Sequence, residues 1–484
     1  MKETTQSILD HFDRISAIPR CSGNEAAVAK WIGQWAEKKG FGYRTDEAGN
    51  RVVRVPASEG MAEAPSVVIQ GHMDMVCEKT PDSPHNFSSD PIRPVRDGDW
   101  LRAEGTTLGA DNGIALALAL ALADASDVAH PPLELLFTVD EESGLNGAKK
   151  LQPGFIESRM LLNVDSETEG VFTVGCAGGR DTRIVLPLDF DAVPENFRPC
   201  RIIVGGLSGG HSGIDIHRQR GNANVLLARM LHALLPVIEY RLAEFHGGSA
   251  HNAIARDAVA VLWCDPSRIQ ELGQRVGDFE ATVRIEFAAI EPSLSVSLEK
   301  KTRGKSKDAV LSPACCERVI RTLLVLPHGV ARFSSEIPGL VETSNNLATV
   351  AMCEDELHIL TSQRSSLMSR MDEMTGKIIS VAALAGSGTE TDNEFPPWPA
   401  NMASPLLQRC STVYRELFRQ EPKVELIHAG LECAIIGDRY PDMDMISFGP
   451  DIENPHSPDE RLNIPSIEKV WDFMVALLAS FRSG

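Results

Sequence analysis

Apolar positions recur along the first 180 residues in two alternating rhythms. Residues 7–18 put Ile8, Leu9, Phe12 and Ile15 on one face of a helix. A second helix is predicted to run to Lys39, with Asn24 as its cap and Gly40 as its stop. Residues 42–55 read as a hairpin about the turn at Ala48, Gly49 and Asn50. Residues 66–72, 133–139 and 160–165 are short apolar runs that predict buried strands. Residues 111–124 alternate Ala and Leu as a strand would, but these are strong helix formers in a long run, so a buried helix is expected.

The rhythm changes after about residue 180. Strands are predicted at 201–206, 258–264, 282–290 and 294–300, and a hairpin at 347–366. Helices are predicted at 222–238 and within 306–327. Residues 423–436 return to strand, turn and helix, and 467–481 close the chain with an amphipathic helix. The polar, Gly- and Pro-rich stretch 386–401 reads as a crossing between domains. The expected division is a discontinuous domain of residues 1–180 and 391–484, interrupted by an inserted domain of residues 181–390.

With 484 residues, 43% of them hydrophobic, the chain can bury a sizeable core. A net charge of −20 disfavours nucleic acid and anionic membrane as partners. The first twenty residues hold no apolar signal core, and no apolar run reaches membrane-spanning length, so a soluble cytoplasmic protein is expected. The ten cysteines show no CxxC spacing; most are expected to be small buried apolar residues rather than a disulfide framework.

Chemistry concentrates where the predicted strands end. GHMDMV (71–76), GTTLGADNG (105–113), TVDEESG (138–144), NVDSE (163–167) and NPHSPDE (454–460) supply His72, Asp111, Glu142, Asp165 and His456. Three carboxylates and two imidazoles suit two adjacent divalent ions that share one carboxylate and activate water. Asp74, two positions after His72, can hold the imidazole in one tautomer. Glu141 and Glu142 divide the work on this reading: Glu142 binds metal, and Glu141 takes a proton from the water. Each residue alone also has a plainer reading. Asp111 can cap a helix, Asp165 can close a strand, and His456 can be a loop histidine. The five together, at strand ends and in loops, carry the argument. The GxSxG match at residues 206–210 places Ser208 as a candidate nucleophile, but the residues after it do not start a helix as a nucleophile elbow requires.

The same motifs, in this order, resemble the M20 metallopeptidase family. The segments HAGLEC and GGHSGIDI with the following GNAN resemble its aminoacyl-histidine (Xaa-His) dipeptidases, and the likeness runs over nearly the whole chain. It implies an α/β, phosphorylase/hydrolase-like catalytic domain with an inserted α+β lid domain. It assigns His72, Asp111 and Asp165 to one zinc ion, and Asp111, Glu142 and His456 to the other, with Mn2+ or Co2+ as alternatives. Asp74 would orient His72, and Glu141 would be general base and acid. His211 of GGHSG would stabilise the oxyanion, Asn252 of HNAIAR would hold the substrate backbone, and Arg364 of SQRSS would pair with the substrate carboxylate. The implied activity is hydrolysis of unblocked dipeptides, Xaa-His including β-Ala-His. N-acyl amino acid amidohydrolase and tripeptidase are the rivals within the family. The resemblance points to a homodimer through the lid, although so large a lid also suits a monomer. Two departures from the subgroup bear on substrate preference: Ala434 follows HAGLEC where Gly is usual, and DNEFPPWPAN (392–401) replaces a different segment.

Overall fold

The computed structural model describes residues 2–300 and 309–482. The chain forms two compact units. One comprises Met1–Cys176, Trp398–Leu426 and Leu431–Gly484, and the other comprises Ala177–Pro397 with Ile427–Gly430. The return crossing falls at 397/398 rather than near 390, because Gly388–Phe395 is a strand paired with Gly178–Pro187 inside the second unit. Its sequence, GTETDNEF, is polar and mostly exposed, as a sheet edge allows, so the hydrophobic pattern conceals it.

The first unit is built on an eight-stranded sheet. Its spatial order is Gly42–Thr45, Arg51–Val55, Leu133–Thr138, Val67–His72, Met160–Asn163, Asp444–Ser447, Val171–Cys176 and Lys423–Ile427. The four strands from Leu133–Thr138 to Asp444–Ser447 are mutually parallel. Val67–His72 and Leu133–Thr138 are buried at every position, as strands covered on both faces must be. Ala110–Asp124 is helical, as its composition predicts, and is buried on nearly every side. It packs against Glu3–Ser16. The second helix is Ala26–Lys39, with Glu25 rather than Asn24 at its N-cap position and no side-chain cap hydrogen bond there. Cys21 and Cys77 form a disulfide, which their sequence spacing does not announce. Of the other eight cysteines only Cys353 is exposed, so the buried-apolar reading holds for most of them.

The second unit is an α+β body around a nine-stranded sheet. Ser295–Lys300, Arg198–Gly205, Ala258–Cys264, Tyr240–Gly247, Val341–Cys353, Glu356–Ser365, Gly178–Pro187 and Gly388–Phe395 lie in that order, and Gly329–Phe333 pairs with Val341–Cys353. Ala223–Leu234 starts where the Asn222 side chain accepts the amides of Asn224 and Val225. Pro313–Val325 starts with Ser312 as cap and proline in the first turn. Residues 306–308 of the stretch expected to contain that helix lie outside the described residues. The expected strand at 282–290 is instead the end of the helix Ile269–Glu286. Only Leu272, Val276 and Val283 of this helix are buried, a spacing of four and seven that marks one helical face. Among the described residues no helix is long and apolar enough to cross a membrane.

Candidate metal and catalytic site

All seven residues singled out around the metal motifs belong to the first unit, and the fold brings them together. His72 is the last residue of Val67–His72, so its side chain stands at the carboxyl end of a parallel strand, where open α/β sheets bind ligands. Leu133–Thr138 ends beside it in register, His72 opposite Thr138, and delivers the turn that carries Glu141 and Glu142. Asp140 enters this turn with φ +53°. Asp165 follows Met160–Asn163. Asp111 lies at the head of the buried helix, and the peptide bond to Asn112 is cis.

The two oxygens of Asp111 face different imidazoles. Oδ1 lies 3.1 Å from His72 Nε2, and Oδ2 lies 3.0 Å from His456 Nε2. His72 Nε2 is also 3.5 Å from Asp165 Oδ1, and His456 Nε2 is 3.1 Å from Glu142 Oε1. Two three-residue donor sets result, His72/Asp111/Asp165 and Asp111/Glu142/His456, each with donor atoms within 4.8 Å of one another. Glu141 groups with His72 and Glu142 by the same measure. Glu142 Oε1 is buried, and the imidazole of His456 is its close polar neighbour. Oxygen and imidazole donors at this spacing fit divalent cations.

Asp74 is fully buried and does more than face the imidazole, where its Oδ1 lies 3.3 Å from His72 Nδ1. It accepts the amides of Glu141 (3.0 Å) and Glu142 (3.1 Å) and the Ser22 hydroxyl (2.8 Å). One carboxylate thus sets the orientation of His72 and the position of both glutamates. Burial would raise its pKa, but the hydrogen bond and charge of His72 bring it down to about 2.

The remaining ionisations reflect opposing forces. Burial disfavours charge on His72, yet Asp165 and hydrogen bonds to Asp111, Asp165 and Asp74 hold its pKa well above the ordinary value. Burial likewise opposes charge on His456, and hydrogen bonds to Asp111 and Glu142 lift it to about 12. Asp111 is driven down by the two histidines against burial. Burial raises Glu141 strongly, against the pull of His72, and raises Glu142 and Asp165 as well. Donors packed this closely need compensating positive charge, which protons or divalent cations can supply.

Several residues that build the site carry no motif signal. Asn112, 1% exposed, accepts the His72 amide at 3.1 Å and donates to Val164 O at 2.7 Å, which ties together the three segments that carry His72, Asp111 and Asp165. Gly71 leaves the space it needs, since a Cβ there would collide with Asn112 Oδ1 and lie 2.7 Å from Ala115 Cβ. Arg20, also 1% exposed, donates to the carbonyls of Met73, Asp74 and Gly109. Glu460 accepts four successive amides of residues 108–111. Arg20 and Glu460 were within reach of sequence reasoning only as buried charges next to ligand motifs. Their partners are main-chain atoms, which leave no trace in composition.

His211, Asn252 and Arg364 lie in the second unit. His211 Nδ1 accepts the amides of Gly213 (3.2 Å) and Ile214 (3.0 Å). The neutral ring therefore carries its proton on Nε2, as a donor. His211 forms a bridge with Ala253, and Ser212 N donates to Asn252 O at 2.7 Å, so the segments of His211 and Asn252 are neighbours. Gly213 sits against Arg364, with room for no Cβ: one would lie 3.0 Å from Arg364 Nε and would strike His428 O. His428 of HAGLEC therefore joins this group, with Nε2 2.8 Å from Ser344 Oγ, and burial followed by the Arg364 charge lowers it to about 3. The Ser208 elbow does not form. Ser208 is exposed, and the next α-helix starts only at Ala223. Ala434 is buried in Glu432–Arg439, and residues 392–401 span the end of the edge strand and the Cys176–Trp398 bridge.

Comparison with known proteins agrees with this architecture. Residues 68–480 match Peptidase family M20/M25/M40. The chain is 40% identical over 473 residues to the cytosol non-specific dipeptidase of Escherichia coli K12, covering 98% of this chain and 97% of the relative. It superposes on the crystal structure of aminoacylhistidine dipeptidase from Vibrio alginolyticus with a TM-score of 0.83 and 39% identity, over 99% of this chain and 98% of that one. A tripeptidase from Staphylococcus aureus shares the fold at 17% identity, with a TM-score of 0.57 over 99% and 98% of the two chains.

Proposed function

The chain belongs to peptidase family M20/M25/M40, and from that premise we propose that it is a cytoplasmic, metal-dependent dipeptidase that cleaves unblocked dipeptides, Xaa-His among them. One observation supports the two-metal reading above the rest: Asp111 presents one oxygen to each of two imidazoles and so belongs to two donor sets at once. His72, Asp111 and Asp165 would hold one ion, and Asp111, Glu142 and His456 the other, zinc being suited to this donor chemistry. When bound, two such ions polarise a carbonyl and acidify water.

The residues of the chain supply the rest of this mechanism. Asp74 holds His72 and the Glu141–Glu142 turn, so that Glu141 and Glu142 can act differently although adjacent. Glu141 takes the proton of the attacking water and returns it to the leaving amine. His211, with its proton on Nε2, donates to the oxygen that gains charge in the tetrahedral transition state. The Arg364 guanidinium pairs with the substrate's terminal carboxylate, and Asn252 holds its backbone. Two relatives of nearly equal identity are named for different specificities, non-specific and aminoacylhistidine. The preference is therefore settled by measurement: turnover of β-Ala-His, other dipeptides, Gly-Gly-Gly and N-acetyl amino acids at known metal content. Dipeptide cleavage lost on chelation and restored by Zn2+ supports the proposal. Faster turnover of a tripeptide or an N-acyl substrate would replace it with one of the rivals. Glu141→Gln should keep about two ions per chain and lose turnover by about 10²–10⁴-fold, the contribution typical of a general base. A variant with near wild-type turnover would remove Glu141 from the mechanism.

A further inference from the structure

Glu460 ends the segment NPHSPDE, four residues after His456, and it is 1% exposed. Its carboxylate is fully engaged by main chain from the distant segment that carries Asp111. Oε2 accepts Leu108 N (2.7 Å) and Gly109 N (2.8 Å), and Oε1 accepts Ala110 N (2.8 Å) and Asp111 N (3.2 Å). No ordinary need for helix capping explains the whole arrangement. A cap satisfies the first amides of a helix from a local side chain, whereas this acid reaches across about 350 residues of sequence from the loop that bears a second ligand. The opposite side of the same segment is gripped too, by Arg20, which binds Gly109 O together with the carbonyls of Met73 and Asp74.

We propose that Glu460 is a positioning residue that sets the separation of His456 and Asp111 and so tunes the affinity of the metal subsite formed by Asp111, Glu142 and His456; this rests on the two-ion reading above. Glutamine at this position keeps one acceptor oxygen but turns an NH2 group toward two amide donors, so the loop of His456 must shift away from the 108–111 segment, which Arg20 holds to Met73 and Asp74. Loss of such an outer partner costs about 10–100-fold in metal affinity. Loss of a mere cap lowers stability and leaves metal affinity alone.

The test is a Zn2+ titration against a competing chelator on the metal-stripped full chain, with a thermal melt of each variant. Wild type should bind two ions. Glu460→Gln should bind one ion as tightly as wild type and the other about 10–100-fold more weakly. His456→Ala should show the same single-subsite loss, and the double variant should be little worse than His456→Ala alone, because both act on one subsite. Two ions bound by Glu460→Gln with unchanged affinities would overturn the proposal whatever the melt shows. Fewer than two ions on wild type would overturn the two-ion reading itself. Should Glu460→Gln fail to fold, Glu460→Asp, which keeps the charge on a shorter arm, takes its place with the same expectation. Failure of both to fold would make Glu460 a folding element and sink the positioning role.

Discussion

A buried amide, Asn112, shows how far the site depends on side chains that never touch a ligand. Its oxygen and nitrogen satisfy the His72 amide and the Val164 carbonyl, both buried with it. Truncation leaves one donor and one acceptor without partners, at about 1–3 kcal/mol each. Asn112→Ala should therefore lower the stability of the metal-stripped protein by about 2–6 kcal/mol, read from denaturant midpoints. Asn112→Asp keeps the acceptor for His72 but sets a buried carboxylate oxygen against the Val164 carbonyl and beside Asp111, so it should cost at least as much as alanine. A loss below about 1 kcal/mol for Asn112→Ala would mean that water replaces the amide. The contrast with the proposed metal ligands explains what was legible. His72, Asp111, Glu142, Asp165 and His456 are chemically distinctive and sit at strand ends or in loops, so sequence spacing and chemistry expose them. Asn112, Arg20 and Glu460 act on backbone atoms of remote segments, and only folded coordinates reveal that pairing.

At the scale of elements, two segments depart from their expectation for different reasons. Residues 282–290 are rich in β-branched and aromatic residues, yet Val283 completes a helical face begun at Leu272, and long-range periodicity prevails over local propensity. Ala110–Asp124 shows the reverse, a strand-like alternation in which helix propensity prevails. The edge strand Gly388–Phe395 has no apolar face to detect. Packing of the second unit also creates a pH-sensitive joint. His328 accepts the Leu347 amide at Nδ1 (3.3 Å) beside Asn222 Nδ2 (3.4 Å), and burial lowers its pKa to about 4. An unfolded histidine titrates near 6.5. The group's contribution is therefore fully present above about pH 6.5 and is lost as pH falls toward 4, where the folded protein also takes the proton, a total of about 3 kcal/mol at most. His328→Gln retains an acceptor without a titrating ring. Its urea midpoints should fall less than those of wild type between pH 6.5 and 4, and parallel curves would show that His328 does not govern this window.

For the whole molecule, the decisive fact is that every proposed metal ligand belongs to one unit of a discontinuous chain. The chain leaves that unit at Cys176, returns at Trp398, and supplies His456 only after the return. The insertion is readable from sequence in the change of pattern after residue 180, but the crossing point is not, since the polar edge strand resembles a linker. The short visit of Ile427–Gly430 to the second unit, which places His428 beside Arg364, had no sequence signal beyond the motif itself. This division makes metal binding a local probe of stability. A ligand stabilises the folded state that holds it by RT ln(1 + [L]/Kd), about 4 kcal/mol at a thousandfold excess over Kd. Hydrogen exchange should therefore respond unevenly to stripping the metal. Amides of Val67–His72, Leu133–Thr138 and residues 108–111 should lose protection by a factor of about 10² or more, as a change of this size implies. Amides of the paired strands Val341–Cys353 and Glu356–Ser365, in the second unit, should change far less. Equal loss in both sheets would mean that the two units unfold as one cooperative body and that the ions stabilise the whole chain. Protection unchanged in both would leave the donor cluster without a bound ion, and with it the proposed chemistry.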